Sequence, residues 1–130
     1  MKRGGLLFAE VITRYAWLVD ASAKGVLNDE DAWAAIEENL RSGLSATPAR
    51  LQPGGFWAYF HKLDELEAEV DSATFVAQRL VAVEGYAWLL GSLDVRMRDP
   101  KALLRALRLV EEEPTLLGVS GHVICIAVKP

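Results

Sequence analysis

The chain holds one cysteine and two histidines. A single cysteine excludes a disulfide framework within the chain, so nothing in the sequence calls for an oxidising compartment. Cys125 stands in the apolar run "HVICIAVK" with no base or cation beside it. It reads as a buried structural thiol and not as a nucleophile. His61, His122 and Cys125 offer neither C-x-x-C nor H-E-x-x-H spacing, which argues against zinc. The acid-rich stretches 28–31 and 64–71 lack the order of a calcium loop and read as a helix start and a solvated face. Phosphate-cradling glycine loops are missing as well. "GGLLFAE" and "QPGGFW" have paired glycines without the G-x-G-x-x-G or G-K-[ST] frame. "GVSGH" at 118–122 sets Ser120 near His122, but a nucleophile elbow needs glycine where His122 stands. No metal and no cofactor are expected.

Long uncharged runs are also absent. Arg79 and Glu84 interrupt the best candidate for a membrane span. The N-terminal stretch has an Ala-Ser-Ala after an apolar segment, but Glu10, Arg14 and Asp20 break that segment. A secretory signal needs an uncharged core, so the expectation is a cytoplasmic protein with no membrane partner. The net charge of −4 gives no global pull toward nucleic acid.

What the sequence does have suits one globular domain over 1–130. Hydrophobic residues make up 52% and charged residues 25% of the 130. The spacing of Phe8, Val11, Ile12, Tyr15, Leu18 and Val19 predicts a helix over 5–22. Asn28 is placed to cap a second helix with Trp33, Ile36 and Leu40 inward and Gly43 at its end. "SATPARLQPGG" at 45–55 reads as a connector. Phe56, Tyr59, Phe60, Leu63, Leu66 and Val70 predict a helix over 55–70. After Asp71 or Ser72 comes a nearly all-apolar run, read as the central helix, with Gly85 its weak point. "LDVRMRD" alternates as a strand would. Asp99-Pro100 opens a further helix, and Ser120-Gly121 reads as the turn of a hairpin. The expected class is α+β: about five helices, then a C-terminal β-α-β-β segment. The alternative is an all-α domain with a minor hairpin.

The tetrapeptide Tyr-Ala-Trp-Leu occurs twice, at 15–18 and 86–89. In register, each copy is followed by a capped helix. An internal duplication of 5–42 and 76–113 is one reading; recurrence of common residues in core is the other.

Three function classes remain. The first is a non-enzymatic interaction domain, such as an inhibitor, an antitoxin-like or immunity-like factor, or a complex subunit, with a protein partner or self-association. Trp17 and Trp57, lying off the apolar stripes, are its candidate anchors. The second is a small-ligand or acid-base site centred on Glu84, whose helical neighbours would be apolar, with His61 or Arg14 as partner and Trp17, Trp57 and Trp88 as walls. The third is a nucleic-acid binder using the basic stripe Arg96, Arg98, Lys101, Arg105 and Arg108. No aromatic residue interleaves with that stripe, so base stacking gains no support. Enzymatic activity is open, with the absence of catalytic signatures leaning against it.

Overall fold

The computed structural model of the chain describes residues 1–47 and 53–130. The fold is α+β. Strands β1 (Leu6–Ile12), β4 (Val76–Ala82) and β5 (His122–Val128) form an antiparallel sheet in the order β1-β5-β4. Strands β2 (Leu44–Thr47) and β3 (Phe56–Tyr59) form a second, two-stranded antiparallel sheet. Helices α1 (Ala16–Lys24) and α2 (Glu30–Ser42) follow β1, and α3 (Leu63–Ser72) lies between β3 and β4. A 3-10 turn (Gly85–Leu89), α4 (Leu93–Arg96), α5 (Pro100–Leu107) and α6 (Pro114–Leu117) connect β4 to β5.

The period of two is clean on β5. Val123, Cys125 and Ala127 are fully buried, while His122, Ile124, Ile126 and Val128 face the other way. Leu66 and Val70 of α3 cover the buried face, packed with Leu7, Ala9 and Val11 of β1 and Ala77 and Leu80 of β4. Leu117 extends this core to Val123 and Ala82. A separate cluster joins Ala16, Trp17 and Ala21 of α1 to Ile36 of α2 and to Phe60.

The opposite face of the three-stranded sheet is apolar and largely uncovered. The register aligns Leu6 with Val128 and Val76, Phe8 with Ile126 and Arg79, and Glu10 with Ile124 and Val81. Leu6, Phe8 and Val76 are about half exposed or more, and no residue of these three rows joins a core cluster.

Several expected elements change type. The helix over 5–22 is a strand, a short link and then α1. The helix over 55–70 is β3 followed by α3. The central helix is β4, and the chain leaves it at Gly85, whose φ of 54° suits glycine. The 93–98 strand is the short helix α4, and the last third runs α-α-α-β, with no hairpin at Ser120-Gly121. Two edge strands carry apolar residues on both faces, which removes the alternation that marks a strand. The five strands also leave no room for the all-α alternative. The connector 45–55 begins inside β2, and its positions 48–52 lie outside the described residues.

Local capping chemistry reads well. Asp99 caps α5 through the Ala102 N–H at 2.9 Å, with Pro100 at the first position. Gly43 closes α2 in the left-handed region, and Gly25 does so for α1. The α2 cap is Asp29 rather than Asn28; its carboxylate accepts from the Ala32 N–H at 2.9 Å.

Candidate functional site

The two tryptophans of the repeated tetrapeptide meet. Trp17 on α1 and Trp88 on the 3-10 turn line one cleft, together with Ile12, Phe56, Phe60 and His122. Asp20 and Lys24 of α1 stand at its wall, joined to each other at 2.6 Å. The cleft holds about 210 Å³. It lies at the end of the sheet where β1 and β4 run out on either side of β5. β1 leads into α1 and β4 into the 3-10 turn, so two edge strands deliver one tryptophan each.

His122 lines the cleft beside these groups, and its position is fixed from behind. Its Nδ1 lies 2.6 Å from Glu84 Oε1, and its backbone N–H donates to Glu84 Oε2 at 2.9 Å. Ser120 Oγ donates to the same Oε2 at 2.9 Å and accepts from the N–H groups of Glu84 and Gly85, at 3.1 and 3.0 Å. Thr13 Oγ1 holds this turn in place by donating to the Ser120 carbonyl at 2.6 Å. Ser120 and Thr13 are both buried. Burial pushes the Glu84 carboxyl up, but the bonds from the His122 ring, the His122 N–H and Ser120 outweigh it and hold the group below the ordinary glutamate value. An ionised carboxylate only accepts. The shared proton therefore sits on Nδ1, and on the neutral ring Nε2 is left as an acceptor.

No protein-family model matches the chain, and no curated protein matches it. The site's chemistry rests on its own geometry.

The sequence-derived candidates fall in different places. Glu84 pairs with His122, not with Arg14, Arg79 or His61. Arg14 is 2% exposed and points away from the cleft, into Glu65. Arg79 meets Glu112 at the surface, at 2.9 Å. His61 lines a separate hollow with Thr13, Arg14 and Tyr15, and its Nε2 is 3.4 Å from Glu69. Trp57 is 83% exposed on β3, outside the cleft, whereas its neighbours Phe56 and Phe60 line it. In the basic stripe, Arg98, Lys101, Arg105 and Arg108 are exposed and Arg96 is half-buried. Cys125 is fully buried, and burial followed by the charge of Glu67 pushes its thiol up. Sequence reading passes over His122, because its partner lies across the sheet. The one available signal is a serine and a histidine flanking a glycine at the head of an apolar strand.

Among the described residues, no three His, Cys, Asp or Glu side chains gather to hold a metal ion. Among them, too, no helix is long and apolar enough to cross a membrane.

Proposed function

We propose that the protein binds a compact, mostly apolar small molecule in the Trp17–Trp88 cleft, with His122 as its polar anchor. The observation that carries this is the convergence of two tryptophans and two phenylalanines on a histidine oriented by a carboxylate. Concave, aromatic-walled sites with one placed polar group are the common form of a ligand pocket. Size narrows the class. A cavity of roughly 150 Å³ holds benzene, and drug-sized ligands need roughly 300 Å³ or more. The 210 Å³ here suits a single substituted ring. Titrating the protein with toluene- and cresol-sized rings should quench tryptophan fluorescence. It should also raise Tm by the equivalent of about 2.7 kcal/mol at a hundredfold excess over Kd. Fluorescence and Tm that ignore every such ring would remove this reading.

A second reading, a protein-interaction domain, draws on a different feature. The uncovered sheet face has an acid on one edge strand, Glu10, and a base on the other, Arg79, about an apolar central column of Ile124, Ile126 and Val128. A twofold axis along β5 lays β1 of one copy over β4 of the next. The apolar columns then pack on each other, with Glu10 within one row of the other copy's Arg79, which already holds Glu112 of its own chain. Self-association through this face follows. The dimer is expected to be weak, with a Kd on the order of micromolar. Sedimentation equilibrium should show that dimer in the wild type and a monomer in Phe8→Glu. A wild type that stays monomeric at all accessible concentrations refutes it.

A further inference from the structure

The Glu84–His122 pair is built for more than shape. Every proton-binding atom behind His122 is already engaged. Glu84 Oε2 takes the Ser120 hydroxyl and the His122 N–H, and Glu84 Oε1 takes Nδ1. Ser120 Oγ is saturated by two backbone N–H groups and its own bond to Glu84. Among the described residues, no hydrogen bond reaches Nε2. His122 lines the cleft, and on its neutral ring Nε2 is the acceptor left over, with a carboxylate fixed at Nδ1. A hydroxyl hydrogen-bonded to Nε2 would face, through the ring, the Glu84 carboxylate that lies 2.6 Å from Nδ1.

We propose that the cleft takes a single ring bearing an acidic hydroxyl and binds it as the anion, the hydroxyl proton passing to His122 Nε2. This rests on the small-ligand reading above. The ligand O–H bond breaks and the Nε2–H bond forms. The oxyanion stays on the ligand, facing the imidazolium, with Glu84 on its far side. No electron transfer and no co-reactant are involved. The other titratable groups at the cleft are Asp20 and Lys24 of α1, which neutralise each other as a pair. Their joint field is small beside that of Glu84, which is bonded directly to the ring. A ring of the same shape whose oxygen is methylated keeps the apolar contacts and has no proton to give. Selection between the two is therefore a measure of the dyad and not of the aromatic walls.

4-Nitrophenol and 4-nitroanisole make this a direct measurement, because the phenolate has a visible absorption band that the phenol and the ether lack. The pH is set below the probe's own pKa, where free nitrophenol is mostly neutral, and bulk pH is followed in weak buffer: transfer from ligand to ring releases no proton, whereas capture of phenolate by a ring already protonated releases one and would overturn the transfer. Adding wild-type protein should raise the phenolate band, and nitrophenol should bind about tenfold more tightly than nitroanisole, the margin of a charge-assisted bond. In His122→Gln the band should vanish and the two affinities should become equal. That variant retains the backbone N–H bond to Glu84, and quenching by nitroanisole confirms that it is folded with its cleft intact. Glu84→Gln should shrink the band, since the imidazolium loses its counter-charge. Both probes quenching fluorescence in the wild type without any phenolate band would overturn the proton transfer and leave the cleft as a binding site. No quenching by either probe would overturn both.

Discussion

Replacing Arg14 by alanine should destabilise the fold by roughly 2–6 kcal/mol, about 1–3 kcal/mol for each of two backbone carbonyls left without a donor, while the half-exposed Glu65 loses its partner at little further cost. The guanidinium sits where four segments meet. Its Nε donates to the Phe60 carbonyl at 2.8 Å, and Nη1 donates to the Leu40 carbonyl at 3.3 Å. Nη2 reaches both oxygens of Glu65, at 2.8 and 2.6 Å, and the Tyr59 hydroxyl at 3.2 Å. The Tyr59 ring lies 5.5 Å from its centre, a further cation–π contact. The residue ties the end of β1 to α2, β3 and α3. Alanine leaves two buried carbonyls without donors, and lysine cannot restore the fork. Urea denaturation measures the loss; a value under about 1 kcal/mol would contradict this assignment. Acid dependence gives a second readout. Burial pushes the Glu65 carboxyl up, but bonds from the Lys62 N–H, Arg14 and Tyr59 hold it below its usual value. A depressed folded value means that the stabilisation is present above the unfolded pKa. It is lost as pH falls through the folded one. Arg14→Ala should flatten that acid limb.

Gly43→Ala should cost about 2–5 kcal/mol, for two separate reasons. Gly43 has a φ of 82°, where a side chain costs roughly 1–2 kcal/mol. A Cβ there would stand 2.6 Å from the Tyr59 ring and 2.7 Å from Arg14 Nη2, too close for either to remain. Overpacking of this kind adds roughly 1–3 kcal/mol. Gly25→Ala provides the contrast. Its φ of 69° is similar, yet nothing lies within 4 Å of the added carbon. The difference in denaturation midpoint between the two variants isolates the clash. Equal losses would show that Gly43 acts through its backbone angle alone.

These two positions mark the limit of what the sequence discloses. Gly43 is legible as the end of a helix, and Arg14 as a charge near an apolar segment. That Gly43 leaves space for Arg14 is a property of the fold. Helix ends read well because they are local: Asp99 and Pro100 open α5 and Gly43 closes α2, while the α2 cap falls one residue from Asn28, on Asp29. Strands β1 and β4 read as helices because Leu6, Phe8 and Val76 make the outward face apolar too, and the contrast between faces disappears. The same uncovered face that misleads the periodicity is the one on which the proposed self-association rests. Glu84 stands out in sequence as a carboxylate among apolar neighbours, which needs a partner. Its partner is not predictable from a helical wheel, because the segment is a strand end and His122 lies on the adjacent strand. The repeated tetrapeptide points toward the right place for a limited reason. Its tryptophans share the cleft, while the charge beside the first copy is committed elsewhere.

Strand β5 lies between β1 and β4 but follows both in the chain, so that Leu6 pairs with Val128. Its pairing with β1 spans almost the whole chain, and such distant pairing is slow to form. Both the histidine and the serine that orders its carboxylate enter on this segment. On the proposed reading, a ligand of the cleft would meet a complete site only once β5 is in place. Ligand should leave the folding rate untouched and act only by slowing unfolding.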